Sequence, residues 1–342
     1  MLPAHAYADY WGEPICRLLN GLWQLSGAHG DINPDRALRE MLDYQRAGQT
    51  TWDLADHYGP AEAYIGAIRR ELQVARVVED SKPSSSGAFL AFTKWVPRAG
   101  SMSREVVETA IDTSLRRMAT KTLDMLQFHW WDYADKSYLQ ALRHLSNMQE
   151  EGKIRRLGLT NFDSVHLAEI CDEGHQIVSN QVQFSIIDRR PEAHMIEVCK
   201  ACGVHLLAYG ALCGGLLSEK YLRHEEPSFR EMNTASLRKY QQMIGTWGGW
   251  PLFQELLIVL EAVALKHGVT IPAVAMRYVL EKPQVAGVIC GVRFSIAEHR
   301  EANARVFDFM LDADDYAGIH AVTDRSRDLL QIIGDCGDEY RR

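Results

Sequence analysis

No apolar run in this 342-residue sequence is long enough to cross a bilayer. Even QELLIVLEAVALKHG, from Gln254 to Gly268, is broken by charge within the necessary length. The first residues, MLPAHAYADYWGEPICRLLNG, lack a basic segment followed by a long apolar stretch. No secretory or transit signal is therefore expected, and the expected location is cytoplasmic. Cysteine is sparse: seven residues, an odd number scattered through apolar contexts, which suits reduced thiols rather than a disulfide framework. Cys199 and Cys202 form a CxxC without a second pair, read as buried structural thiols rather than metal ligands. Positive charge is also in short supply. With 37 basic and 45 acidic residues the formal charge is -8, which argues against nucleic acid or an anionic membrane as a partner. Any anionic ligand needs a local basic site. No internal repeat or low-complexity tract is evident.

What the sequence does contain is an alternation of short β-rich runs with longer helical patterns, which predicts βα units around a parallel sheet. The strand candidates are GLWQL, TTWDL, AFTKW, LDMLQFH, IRRLGLT, SNQVQFS, VHLLAYG and VAGVICG. Eight of them suggest a closed (β/α)8 barrel of the α/β class, formed by a single domain over residues 1–342. Helix starts are expected at Asn33-Pro34, Ser103, Ser164 and Arg190-Pro191, and helix stops at Gly48, Gly152 and Gly203. DSKPSSSG, residues 80–87, reads as a surface loop. The charged and Gly/Trp-rich stretch from about 218 to 251 fits no βα repeat and is expected to be an insertion between the seventh and eighth strands. The residues after Arg325 are expected to cross the barrel surface as a tail, by a path the sequence does not fix.

In such a barrel, active residues gather at the C-terminal ends of the strands, where the βα loops share one concave face. Asp53, Lys94 and His129 end the second, third and fourth candidate strands, and Tyr58 follows Asp53 within reach of a folded-back loop. Each alone has a bland reading: a capping Asp, a packed Tyr, a solvated Lys, a satisfied core His. Their convergence is the informative signal. A phenol titrates near ~10 and donates poorly unless a cation eases loss of its proton. Lys94 is that cation, and Asp53 keeps it charged in a dry pocket.

The stretches GQTTWDLADHYG (48–59) and GKIRRLGLTNF (152–162) resemble the second- and fifth-strand signatures of the aldo-keto reductase superfamily, and the likeness runs from about Leu18 to about Thr323. The resemblance implies a (β/α)8 barrel, commonly monomeric or at most a weak homo-oligomer, that reduces a small aldehyde or ketone with NADPH. It implies that Tyr58 is the general acid, tuned by Lys94 and Asp53, and that His129 orients the carbonyl. Thr160, Asn161 and Gln181 match positions that hold the nicotinamide carboxamide, and Tyr209 matches the aromatic that stacks on its ring. The backbone of Gly210, Leu212, Gly214 and Gly215 matches the pyrophosphate segment. In GVRFSIAEHREAN, Arg293 matches a 2′-phosphate partner, with Ser295, His299 and Asn303 as helpers, so NADPH is expected over NADH. Trp23, Trp130 and Trp131 match the walls of a substrate pocket. The sequence departs from the common pattern at Gly210-Ala211, where Ser-Pro is usual, and at Phe184 and Ala302.

Two other functions fit parts of this pattern. One is a regulatory or sensor subunit that binds NADPH with little turnover, against which the intact set of four polar residues weighs. The other is a metal-dependent hydrolase built on Asp53, His57 and His129. Lys94 would repel a cation from that pocket, so no metal is expected.

Overall fold

The computed structural model describes residues 2–26, 33–79, 88–294 and 299–341. Among them eight parallel strands close into a ring: β3 (Leu18–Gly21), β4 (Thr51–Asp53), β5 (Leu90–Trp95), β6 (Met125–His129), β7 (Leu157–Thr160), β8 (Ile177–Gln183), β9 (His205–Tyr209) and β10 (Val285–Gly291). The last strand pairs with the first, Val288 opposite Leu18 through Gly291 opposite Gly21. Strands β3 to β7 are buried throughout, as expected when one face of a parallel sheet meets helices and the other meets the barrel interior.

Helices α1 (Pro34–Arg46), α2 (Ala61–Glu79), α3 (Arg104–Arg117), α4 (Ser137–Glu150), α5 (Ser164–Asp172) and α6 (Met195–Cys202) follow β3 to β8 in turn. Their starts are chemically marked. Asn33 accepts from the backbone N–H of Arg36 ahead of Pro34, and Ser103 accepts from Val106. Before α5 the cap is Asp163, which accepts from His166, one residue ahead of the expected Ser164. Arg190-Pro191 opens a short 3-10 turn (Arg190–Glu192), and α6 begins only at Met195. Gly203 ends α6 in the left-handed region at φ 69°.

The first strand also differs from expectation. It ends at Gly21, and the residues read as its continuation form a 3-10 turn, Trp23–Ser26. The chain bends there because Leu22 donates its N–H to Asp53 O across the ring (2.9 Å), while Gly21 lies so close to Ile289 that a Cβ would stand 2.8 Å from it. A hairpin absent from the sequence reading, β1 (Tyr7–Asp9) with β2 (Pro14–Cys16), lies at the N-terminal end of the barrel. Its Ile15, with half-buried Tyr10 and Trp11, packs on Leu19, Phe92, Met125 and Leu207 and closes the barrel floor.

The 218–251 stretch is largely helical. After a 3-10 turn at Glu219–Tyr221 it forms α7 (Ala235–Trp247), then bends by 98° through Gly248 into α8 (Gly249–His267). Helices α9 (Ile271–Leu280), α10 (Arg300–Ala304), α11 (Ala313–Thr323) and α12 (Leu329–Ile333) complete the chain, and the segment DSKPSSSG lies outside the described residues. No single helix among the described residues is long and apolar enough to cross a membrane. All seven cysteines are free thiols.

Candidate active site

Asp53, Lys94 and His129 end or nearly end β4, β5 and β6, three adjacent strands, so parallel register alone brings them to one rim. Lys94 Nζ lies 2.8 and 2.6 Å from the two carboxylate oxygens of Asp53 and donates to Leu54 O at 3.1 Å. Both side chains are almost fully buried. Burial pushes the Lys94 ammonium below its usual value, and the Asp53 charge pulls it back. Two further donors satisfy the carboxylate: Gln127 Nε2 and Gln181 Nε2 reach Asp53 Oδ1 at 2.9 and 2.7 Å. Gln181 Nε2 also donates to Gln127 Oε1 at 2.7 Å, so its amide hydrogens serve the barrel interior. A buried ion pair held by three donors is well satisfied.

Tyr58 follows a turn closed by its N–H on Ala55 O (3.1 Å), and its ring centre stands 5.3 Å from Lys94 Nζ. The expected acidification by the ammonium is not present. Burial first, then the charge of Asp53, hold this phenol well above its ordinary value, because the carboxylate cancels most of the field of the lysine it pairs with. Tyr58 is therefore a firmly protonated hydroxyl. His129 is buried with no hydrogen-bond partner on Nε2. Desolvation, reinforced by the cations Arg341 and Lys94, pushes its pKa down to about 3, so the imidazole is neutral and can donate from Nε2. The neighbouring Thr160, its register partner on β7, also has an unpartnered buried hydroxyl.

The pocket walls separate by strand alternation. Because His129 points into the barrel mouth, Trp130 points away. It is fully buried against Phe128 and Tyr138, and its Nε1 donates to Asp132 O and Asp135 O. Trp130 is a core residue, a correction to the pocket expected from sequence. Trp131 returns to the mouth and stacks on His129 at 4.5 Å, while Trp23 meets the Tyr58 ring edge-on at 5.0 Å.

The residues expected to hold a cofactor line a contiguous path. Asn161 sits at φ 57° after β7, and Tyr209 ends β9 with its hydroxyl 3.0 Å from Asn161 Oδ1. Gly210, Gly214 and Gly215 all adopt positive φ, and a Cβ on Gly215 would meet only open space. Arg293 is exposed and makes no ion pair among the described residues; His299 precedes α10, and Asn303 donates to Cys290 Sγ at 3.2 Å. Ser295 lies outside the described residues.

Sequence reading missed two sets of residues. Gln127 is two positions before His129, and the period of two along a strand is the signal that turns both inward. The other set is the C-terminal tail, which crosses the mouth instead of running over the outside. Tyr340 stands edge-on to His129 at 6.2 Å and to Trp131 at 5.4 Å. Arg341 donates to Asn161 O (2.5 Å) and Trp130 O (3.2 Å) and stacks 3.9 Å over Tyr133. Glu339 pairs with Arg190 at 3.0 Å, and Arg190 is itself held on both oxygens of Asp188. No local pattern marks the tail's contacts, since each joins residues more than a hundred positions apart.

Comparisons with known proteins agree with this architecture. The chain is 23% identical over 295 residues to the NADH-specific methylglyoxal reductase of Escherichia coli, covering 81% of this chain and 86% of the relative. In fold it is similar to a glycerol dehydrogenase of Gluconobacter oxydans (TM-score 0.76, 22% identity, 97% of this chain and 98% of that one). It is also similar to an aldo/keto reductase of Klebsiella pneumoniae solved with NADP and acetate (TM-score 0.67, 21% identity, 91% and 92%). The aldo/keto reductase family model matches residues 17–324, nearly the whole barrel with its rim of polar side chains, and the chain belongs to that family.

Proposed function

We propose that this chain is an NADPH-dependent oxidoreductase that reduces an aldehyde or ketone to an alcohol, with Tyr58 as the proton donor. The observation that carries the reading is the meeting, at one rim, of a protonated phenol, a charged lysine fixed by a carboxylate, and a neutral imidazole with an unpartnered nitrogen. The site suits a nicotinamide dinucleotide: the buried Thr160 hydroxyl is orphaned beside Asn161, and the positive-φ segment after Tyr209 opens at Gly215, where no side chain stands between the backbone and an approaching pyrophosphate. Thr160, Asn161 and, through its amide oxygen alone, Gln181 would hold the carboxamide, Tyr209 would stack on the ring, and Arg293 and His299 would meet the adenosine phosphate. When bound, that cofactor supplies hydride.

The protein's part is proton handling and orientation. His129 Nε2 donates to the carbonyl oxygen and sets its direction, and Tyr58 gives its proton to the same oxygen. As the phenol becomes phenolate, the Lys94 ammonium is already in place to stabilise it, and Gln127 and Gln181 keep Asp53 from drifting off the lysine. Trp131 and Trp23 present flat apolar surface on either side, which favours an apolar or aromatic carbonyl compound. The relative of Escherichia coli is named NADH-specific and a structural neighbour holds NADP, so the exposed Arg293, without an ion pair among the described residues, is what tips the reading to NADPH. Tyr58→Phe is expected to bind NADPH normally and to lose most reduction of a carbonyl panel followed by NADPH absorbance. Undiminished turnover by that variant sinks the assignment. Tight NADPH binding with no hydride transfer to any carbonyl, in a stopped-flow experiment, points instead to a sensor subunit.

A further inference from the structure

Lys239, on the second turn of α7, is a cation at the mouth that the chemistry above does not use and, unlike Arg341, it holds no backbone carbonyl. Its ammonium donates to the Tyr340 hydroxyl at 2.6 Å and stands over three aromatic rings: Tyr340 at 4.5 Å, Tyr209 at 5.4 Å and Tyr240 at 5.4 Å. It makes no ion pair among the described residues, although Glu339 is a near neighbour, because that carboxylate is already taken by Arg190. The helix that carries it is pressed onto the glycine segment. A Cβ on Gly214 would stand 3.1 Å from the Ser236 backbone, and one on Gly210 would stand 2.3 Å from the Tyr240 hydroxyl. A half-buried ammonium with no carboxylate at ion-pair distance, Glu339 acting on it only from further off, therefore lies between a stacking ring and a run of positive-φ backbone.

We propose that Lys239 is a further cofactor-binding residue, taking the pyrophosphate of the dinucleotide, and that Tyr340 holds it over Tyr209 until that anion arrives. The inference rests on the nicotinamide reading of the site. An ammonium surrounded by ring faces and one phenol is stabilised by quadrupoles and a neutral acceptor, both weaker than a phosphate anion at contact. The Tyr209 face cannot hold the ammonium and a flat ring together. Binding thus requires Lys239 to leave the aromatic cage, and its preferred destination is the pyrophosphate beside the Gly210–Gly215 segment. The C-terminal tail and the dinucleotide compete for one side chain, so the tail sets how readily the cofactor enters.

The test is direct binding, read by quenching of intrinsic tryptophan fluorescence, with NADP+, ADP-ribose and 2′,5′-ADP as probes. Lys239→Gln is expected to weaken NADP+ and ADP-ribose by about tenfold or more, as expected for loss of a charge-assisted phosphate contact. It is expected to leave 2′,5′-ADP, which lacks a pyrophosphate, unchanged. Lys239→Arg should retain most of the affinity. Tyr340→Phe, which frees the ammonium, should speed NADP+ association in stopped-flow without weakening binding. Equal NADP+ affinity in Lys239→Gln and the parent overturns the proposal while leaving the reductase reading intact, as does an equal loss for all three probes. A parent protein that binds neither NADP+ nor NAD+ overturns both.

Discussion

Lys94 and Asp53 are buried together, and the cost of each charge in that setting depends on the other. Asp53→Asn leaves the ammonium with amide oxygens only. It is expected to lower stability by about 3 kcal/mol in urea unfolding, in the range for breaking a buried pair, and to lower kcat far more than KM. His129 makes a second prediction. Its folded-state pKa of about 3 lies below the ordinary value near ~6.5, so as pH falls the unfolded chain takes up the proton first. Stability is unaffected by this group above about pH 6.5 and drains away from there down to about pH 3. Urea midpoints measured from pH 7 to pH 4 should fall less steeply in His129→Gln than in the parent. An identical slope in both proteins rules out the buried neutral imidazole. These residues were legible in the sequence because each ends an apolar run, a position that the barrel topology converts into a shared rim. Trp130 was misread because residues adjacent in a strand face opposite sides, and its distance of one from His129 settles which side it takes.

At the scale of elements, the helices and strands followed from periodicity and caps, whereas the tail did not. Its docking depends on Gly337, at φ 89°, where a Cβ would stand 2.1 Å from Asn161 O, and on Arg341 reaching Asn161 O and Trp130 O. Neither signal can be seen in a sequence, because a glycine near a chain end has many explanations and the partner carbonyls lie 180 and 211 positions away. Gly337→Ala is expected to undock the last residues. Limited proteolysis should then trim the tail of the variant at once and leave its barrel intact, whereas equal resistance in both proteins contradicts the tight contact. Helix α7 offers a local check. Thr234 caps it by accepting from Leu237, so Thr234→Ala should lower stability by about 1 kcal/mol.

For the whole molecule, the floor and the mouth of the barrel have separate tasks. The β1–β2 hairpin fills the floor with Trp11 against Phe92 at 6.2 Å, and Arg156 donates to Trp11 O. Trp11→Ala is expected to lower stability by about 2–3 kcal/mol through a cavity at that end, with NADP+ affinity unchanged by titration. The barrel itself was readable from eight alternating segments. Its floor was not, because two strands of three residues each are too short to carry a periodicity.

Closure of the ring has one further consequence. Two register pairs, Asn20 with Trp52 and Gly21 with Asp53, join β3 to β4, fewer than join any other neighbours around the circle. A hoop opens where its weld is shortest, and here the weld ends on the carboxylate that fixes Lys94. Breathing at this seam is expected to loosen the Asp53–Lys94 pair before the rest of the ring opens, so on slow heating carbonyl reduction should fall at a lower temperature than the far-ultraviolet circular dichroism; coincident losses contradict the weak seam.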